Sequence, residues 1–285
     1  MIRIEITEQE LEARTQELVP KWRTYRNSRG EHWGQLKPLF LELQHYKCCY
    51  CETEIGGRID KRTGKRPTVS QDIEHFRPKN RVANWNFPAA WVNPPDLSKA
   101  PEQGYPWLRH HEQNYAVSCK DCNTTYKDVH FPILRTHGNY ASEPSPRELS
   151  AEQPLLVFPI GDLDSDPREI LTFLGWDVIP HPRLTPQHSD YWRAIACIEL
   201  YGLNRDDLLF RRLRLIRELG VAWPTPTGLA ICQVHTARES PHSACAAAYI
   251  QLCQEASAQA QAIAIEAWEG QRDVQEWIKT AWTVD

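Results

Sequence analysis

The sequence predicts an α+β fold in which a small module with short strands sits between N-terminal helices and a mainly helical C-terminal region. Three observations carry that prediction. Apolar residues recur at helical spacing towards both ends of the chain, as at Leu36, Leu39, Phe40 and Leu43, and again at Leu208, Leu209, Leu213, Ile216 and Leu219. The stretches Thr68 to Ile73 and Tyr115 to Ser118 read as strands. Two Cys-x-x-Cys pairs, Cys48/Cys51 and Cys119/Cys122, lie either side of that region. Thiolates so spaced in a tight turn reach one ion, and a second pair completes a tetrahedral zinc site. Four protein ligands leave no position for water or substrate, so this zinc is expected to be structural. Cys49 is left as a small core residue.

The expected order is an N-terminal helical segment over 1–47, the zinc module over 48–137, a connector over 138–188 and a helical region over 189–285. Thr7-Glu8-Gln9-Glu10 reads as a capping box opening a helix to about Asn27. A second helix is expected from Trp33 to Tyr46, with Pro38 in its first turns. Residues 56–66 are rich in glycine and charge and read as an exposed tip. Glu74 and His75 are neighbours, and on a regular strand they would face opposite ways. They can address one site only where the strand ends, twists or bulges, and Pro78 makes an ending the natural choice. Residues 80–111, with Trp85, Trp91 and Trp107 among several prolines, are too aromatic for a disordered linker and read as an ordered insertion. A short helix from Asn123 to Val129 would put Asn123 and Lys127 on one face.

In the connector, Leu155 to Phe158 is a strand candidate. Ser189 can cap a helix through Tyr201, and Asn204 with Asp206 and Asp207 can cap another to Leu219. After the turn Trp223-Pro224-Thr225-Pro226, a helix is expected from about Pro241 to Trp268, with a helical tail through Trp282.

Nine cysteines in a secreted chain would point to disulfides, but the metal spacing and the lack of an apolar leader favour the reducing cytoplasm. No apolar run has the length needed to span a bilayer, so no membrane partner is expected. The net charge of −4 excludes a chain coated in nucleic-acid-binding surface. A local basic patch is present nonetheless: Arg58, Lys61, Arg62, Lys65, Arg66, Arg77, Lys79 and Arg81. No P-loop is found.

The order Cys48-x-x-Cys51, Glu74-His75-x-x-Pro78, Asn114, Cys119-x-x-Cys122 and Asn123 resembles the HNH nuclease superfamily, whose ββα-metal site is braced in one branch by a four-cysteine zinc. Phe131-Pro132, Glu152-Gln153-Pro154-Leu155-Leu156, Asp166-Pro167 and Gly202-Leu203-Asn204-Arg205 are similar to words in the subgroup of HNH proteins found with ATPases in Septu and retron-linked phage defence. The resemblance implies a zinc-braced ββα-metal module and a metal-dependent endonuclease, with DNA as the expected substrate, although RNA would satisfy the same residues. It implies that His75 is the general base, that Asn114 holds it in orientation, and that Glu74 and Asn123 bind a catalytic Mg²⁺ or Mn²⁺. Glu in place of the usual Asp, and Asn in place of His, depart from the common pattern. Arg77, Lys79 and Lys127 are candidates for phosphate contact. The resemblance further implies an ATPase subunit, for which the helices after residue 189 offer a docking surface. The rival reading is a zinc-stabilised adaptor that binds nucleic acid or protein without cutting.

Overall fold

The computed structural model describes residues 1–56, 62–64 and 71–281, with side chains through Gly270. Arg58, Lys61, Lys65 and Arg66 of the basic patch, the first residues of the Thr68 strand and Trp282 lie outside the described residues. The chain divides into two compact units, Met1–Leu171 with Pro180–Leu203, and Thr172–Ile179 with the chain from Asn204 onward.

In the first unit, helix α1 (Glu8–Leu18) starts where Thr7 accepts a hydrogen bond from the Glu10 amide at 3.1 Å. It stops well short of Asn27. Pro20 lacks an amide hydrogen and disfavours helix at the residue before it, and the chain continues as a 3₁₀ turn, Trp22–Tyr25. A second 3₁₀ turn, Trp33–Leu36, runs into α2 (Lys37–Leu43), with Pro38 in the first turn as expected. Gln44 follows, and its side-chain amide bonds both backbone groups of Val117: Nε2 donates to the carbonyl at 2.6 Å and Oε1 accepts from the amide at 2.7 Å. One buried side chain thus ties the end of α2 to the strand that contains Val117. His45 and Tyr46 then turn the chain through positive φ towards Cys48.

Strands β1 (Gln71–His75) and β2 (Tyr115–Cys119) pair antiparallel, with Gln71 opposite Cys119 and His75 opposite Tyr115. Every residue of β2 is buried. A wide, π-type helical turn, Asp121–Lys127, follows two residues ahead of the expected helix and ends at Asp128 with φ +45°. Strand, strand and helical turn thus follow one another in the order β, β, helix. The insertion between the strands is ordered: Trp85, Phe87 and Trp91 pack against a buried cluster of Leu155, Trp192, Ile195 and Ala196. Gly104, at φ +69°, abuts the loop after β1 so closely that a Cβ would lie 2.5 Å from the Pro78 carbonyl oxygen.

The stretch expected to be a connector is core instead. Leu149, Leu155, Leu156 and Val157 are fully buried, and Leu155 to Phe158 forms no strand but an irregular run, with Leu155 bonded to the Pro132 carbonyl. An unbroken apolar run does not distinguish a buried loop from a strand. Helix α3 (Pro167–Ile170) is capped by Asp166, and α4 (Ser189–Leu200) belongs to this same unit, so the expected boundary at 188/189 falls inside it. His188, without a side-chain bond, holds the cap position expected of Ser189.

Strands β3 (Leu171–Leu174) and β4 (Asp177–Pro180) form a hairpin turning at Gly175. In the second unit, helices α5 (Asp206–Ala222), α6 (Pro226–Thr236), α7 (Ser243–Glu255) and α8 (Ser257–Ala281) share a core that includes Leu213, Ile216, Leu219, Tyr249 and a row of alanines, Ala260, Ala264 and Ala267. Asn204 does not cap α5. Its amide instead bonds both backbone groups of Val178, at 2.8 and 2.9 Å. Helix α6 arises where a turn was expected, because Pro226 occupies its first position and Thr225 caps it through the Gly228 amide. The single helix expected from 241 to 268 is interrupted at Ala256. No helix among the described residues is long and apolar enough to cross a membrane.

Candidate active site

The four cysteines converge. In the first pair, the Glu52 amide donates to the Cys48 carbonyl at 3.0 Å and the Cys48 amide to the Thr53 carbonyl at 2.9 Å, which closes a tight turn and points both thiols one way. Cys119 ends β2 and Cys122 lies in the π-type turn. All four Sγ atoms lie within 4.8 Å of one another and all four residues are buried. Zinc–thiolate bonds of about 2.3 Å in a tetrahedron put sulfurs ~3.8 Å apart, and Cys51 Sγ lies 3.8 Å from Cys119 Sγ. The residues therefore fit a structural zinc ion. Cys49 stays out of the cluster, buried, with its amide on the Val117 carbonyl.

At the end of the hairpin away from Cys119, β1 ends at His75, and the ending resolves the neighbour problem of Glu74 and His75. The next amide, Phe76, bonds the Asn114 carbonyl at 2.9 Å, and Glu74 and His75 line one cavity of about 200 Å³ with Lys79, Arg81, Asn123 and Lys127. His75 is 6% exposed and stands edge-on to the rings of Trp33 and Tyr115. Its Nε2 lies 3.1 Å from the Arg109 carbonyl oxygen. A carbonyl only accepts, so Nε2 carries the proton and Nδ1 keeps the lone pair. Burial, reinforced by the charges of Lys79 and Lys127, holds the imidazole pKa well below its ordinary value, so the ring is neutral at neutral pH. This is the state a general base needs.

Glu74 is buried, with Lys127 Nζ 2.5 Å from Oε1. Burial pushes its carboxyl pKa up, while Lys127 pulls in the opposite direction. Lys127 is itself 1% exposed, and its Nζ also donates to the His75 carbonyl at 3.3 Å. Asn123 is half-buried on the cavity wall. The chemistry of the donor pair, one carboxylate and one amide oxygen, fits a hard divalent ion that retains several waters.

The Asn114 side chain bonds to backbone groups and not to the His75 ring. Its Oδ1 accepts from the Arg77 amide at 2.8 Å and its Nδ2 donates to the Arg77 carbonyl at 3.0 Å, so it clamps the loop that leaves His75. Arg77 is the correction to the phosphate-contact set. Its guanidinium is buried, ion-paired to Glu152, bonded to the Leu149 carbonyl and packed over the rings of Tyr105 and Phe131. Nothing of it remains for a phosphate. Lys127 is likewise buried on Glu74 rather than free. Lys79 fits the expectation better: partly exposed, it lies over the Trp33 ring at 4.4 Å and faces the cavity.

Sequence reasoning missed Trp33, Tyr115 and Arg109 as the setting of His75. Arg109 acts through its backbone, which no side-chain pattern reveals. Tyr115 donates its hydroxyl to the same carbonyl, and its place directly opposite His75 follows from strand register alone.

No protein-family model matches the chain. It is 28% identical over 184 residues to the Septu protein PtuB of Bacillus mycoides (strain KBAB4), a match that covers 65% of this chain and 52% of that protein. The chain therefore spans about half the length of the curated relative it matches.

Proposed function

We propose that the protein is a metal-dependent endonuclease of the HNH type, hydrolysing phosphodiester bonds in nucleic acid, with DNA the expected substrate, as part of an anti-phage defence system. The observation that carries this reading is the setting of His75. It is a neutral imidazole with Nε2 tied to a backbone carbonyl and Nδ1 left as the acceptor, lining one cavity with Glu74 and Asn123 beside a four-cysteine cluster. The similarity to a Septu protein supports the defence role. The same resemblance supports an ATPase partner that licenses cleavage.

In this mechanism His75 Nδ1 takes the proton from a water attacking the phosphorus, help worth about two to four orders of magnitude in rate. Asn114 and the Arg109 carbonyl fix the base, the first through the loop and the second through the ring. Lys79 positions a phosphate by charge without reading sequence. Glu74 and Asn123 would hold a Mg²⁺ or Mn²⁺ ion, which when bound supplies neutralisation of charge on the scissile phosphate.

One observation favours the adaptor as a second reading: Glu74 already has a cation partner in Lys127. A cleavage assay with Mg²⁺ or Mn²⁺ separates the two, comparing wild type with His75→Ala after zinc content and folding are matched. Cleavage by the wild type that falls at least about a hundredfold in the variant is the expected result. Equal cleavage by both removes His75 from the mechanism. Binding of nucleic acid with no cleavage by either, partner ATPase included, establishes the adaptor.

A further inference from the structure

Lys127 is an unusual group to find where it is. A lysine ammonium buried to 1% exposure is a costly arrangement unless it is closely paired, and here its partner is the carboxylate assigned to the catalytic ion. The 2.5 Å separation from Glu74 Oε1 puts the ammonium against the oxygen face that a divalent ion would have to approach. A metal ion cannot take that side of Oε1 while the ammonium holds it. The second bond of Lys127, to the His75 carbonyl, anchors the ammonium at the end of β1. Its stem arises from the last residue of the π-type turn that also carries Asn123, the other assigned ligand.

We propose that Lys127 is an internal counter-ion that occupies the divalent-ion position at Glu74, so that metal binds only as the ammonium leaves. The inference rests on the assignment of Glu74 as a metal ligand. It makes Lys127 a positioning residue acting through Glu74. In the resting state it holds the carboxylate in place and gives it a close partner in the buried site. It also lowers the affinity for the ion, because the incoming cation must displace one already bonded. The chain then binds a divalent ion weakly until something stabilises the displaced lysine, and the phosphate of a bound substrate has the charge to do so.

The test uses the full chain with its zinc and Mn²⁺ as the probe, read by electron paramagnetic resonance at pH 8, where competition from protons is small. Lys127→Gln is expected to bind Mn²⁺ about tenfold or more tighter than wild type, the factor a close buried ion pair commands when its competition is removed. A merely structural lysine would leave the affinity unchanged or, by loosening the site, weaken it, and either result in a folded variant overturns the proposal. Should Lys127→Gln fail to fold, lysine acylation of the wild type decides instead. Labelling of Lys127 is expected to rise when Mn²⁺ is added, and unchanged protection at saturating Mn²⁺ refutes the displacement. Glu74→Gln separates this failure from that of the broader reading. If it leaves Mn²⁺ affinity untouched, the ion is not held at Glu74 and the metal assignment itself fails. If it abolishes binding while Lys127→Gln brings no gain, the assignment stands and the counter-ion idea alone falls.

Discussion

Replacing Glu152 by Gln is expected to destabilise the first unit by about 3–5 kcal/mol, the cost of leaving one member of a buried ion pair without its partner. Glu152 is fully buried and receives three side chains: the Arg77 guanidinium, the Tyr105 hydroxyl at 3.0 Å and the Tyr140 hydroxyl at 2.5 Å. The amide that replaces it keeps the volume and one acceptor oxygen but not the charge, so Arg77 stays buried and unneutralised between Tyr105 and Phe131. For a unit of this size each kcal/mol shifts the melting midpoint by about 2–4 °C, which predicts a drop on the order of 10 °C. Urea unfolding followed by tryptophan fluorescence reads the first-unit transition, and Trp22, wholly buried in that unit, is a suitable reporter. The double variant Arg77→Met/Glu152→Leu, which removes both charges, is expected to be more stable than Glu152→Gln alone. The argument also reaches the site, because Arg77 is two residues from His75 and its backbone is held by Asn114. In the proposed nuclease, cleavage by Glu152→Gln should therefore fall by more than its unfolded fraction explains. A cost below about 1 kcal/mol, typical of an exposed pair, would refute the reasoning, as would strictly additive single and double variants.

Cys51→Ser is expected to lose the zinc and with it the cooperative transition of the first unit, since such ions contribute on the order of 10 kcal/mol to folding; metal analysis should find one zinc per wild-type chain and none in the variant. Asn114→Ala removes two bonds to the Arg77 backbone and should cost about 2 kcal/mol in the urea midpoint. In the proposed nuclease it should also lower kcat more than it changes KM. Acid should weaken the first unit through His110, which is fully buried among Trp22, Tyr25, His32 and Trp33. Burial first, then the charges of His32, Arg109 and Lys79, hold its pKa below the ordinary value. The folded state thus binds its proton less readily than the unfolded chain. The stability it contributes is complete above the unfolded pKa of about 6.5 and is lost as pH falls from there through the folded value. A urea midpoint that is flat or rises between pH 7 and pH 5 in wild type, compared with His110→Gln, would contradict this.

What the sequence made legible was the part written in spacing. The two cysteine pairs, a strand that stops before Pro78 and the helix cap at Thr7 all follow from local order, whereas the pairing of Glu74 with Asn123 was implied by the family resemblance alone. Other features depend on what residues meet across the fold. Nothing local distinguishes Arg77, buried on a carboxylate 75 positions away, from Lys79, which reaches the cavity two residues later. The run Leu155 to Phe158 looks the same as strand or as packed loop, and only its neighbours decide. Helix α6 was hidden because proline reads as turn when seen alone and as a first helical position when a capping threonine precedes it. The scattered words after residue 131 acquire physical content in the same way: Phe131 lies under the Arg77 guanidinium, and Glu152 is that guanidinium's counter-charge.

The packing of Tyr201 and Gly202 bears on how this protein can be divided in the laboratory. Tyr201 stacks on Tyr50, which sits between Cys49 and Cys51, with ring centres 3.7 Å apart. Gly202, at φ +56°, leaves just the room that the Tyr126 ring fills; a Cβ there would lie 2.5 Å from ring carbons. A fragment trimmed to residues 48–137 would strip the lid from the cysteine loop, expose two tyrosine faces to water and leave Arg77 without its carboxylate. The smallest piece worth expressing runs through Leu203, and activity missing from anything shorter would report on the cut, not on the chemistry.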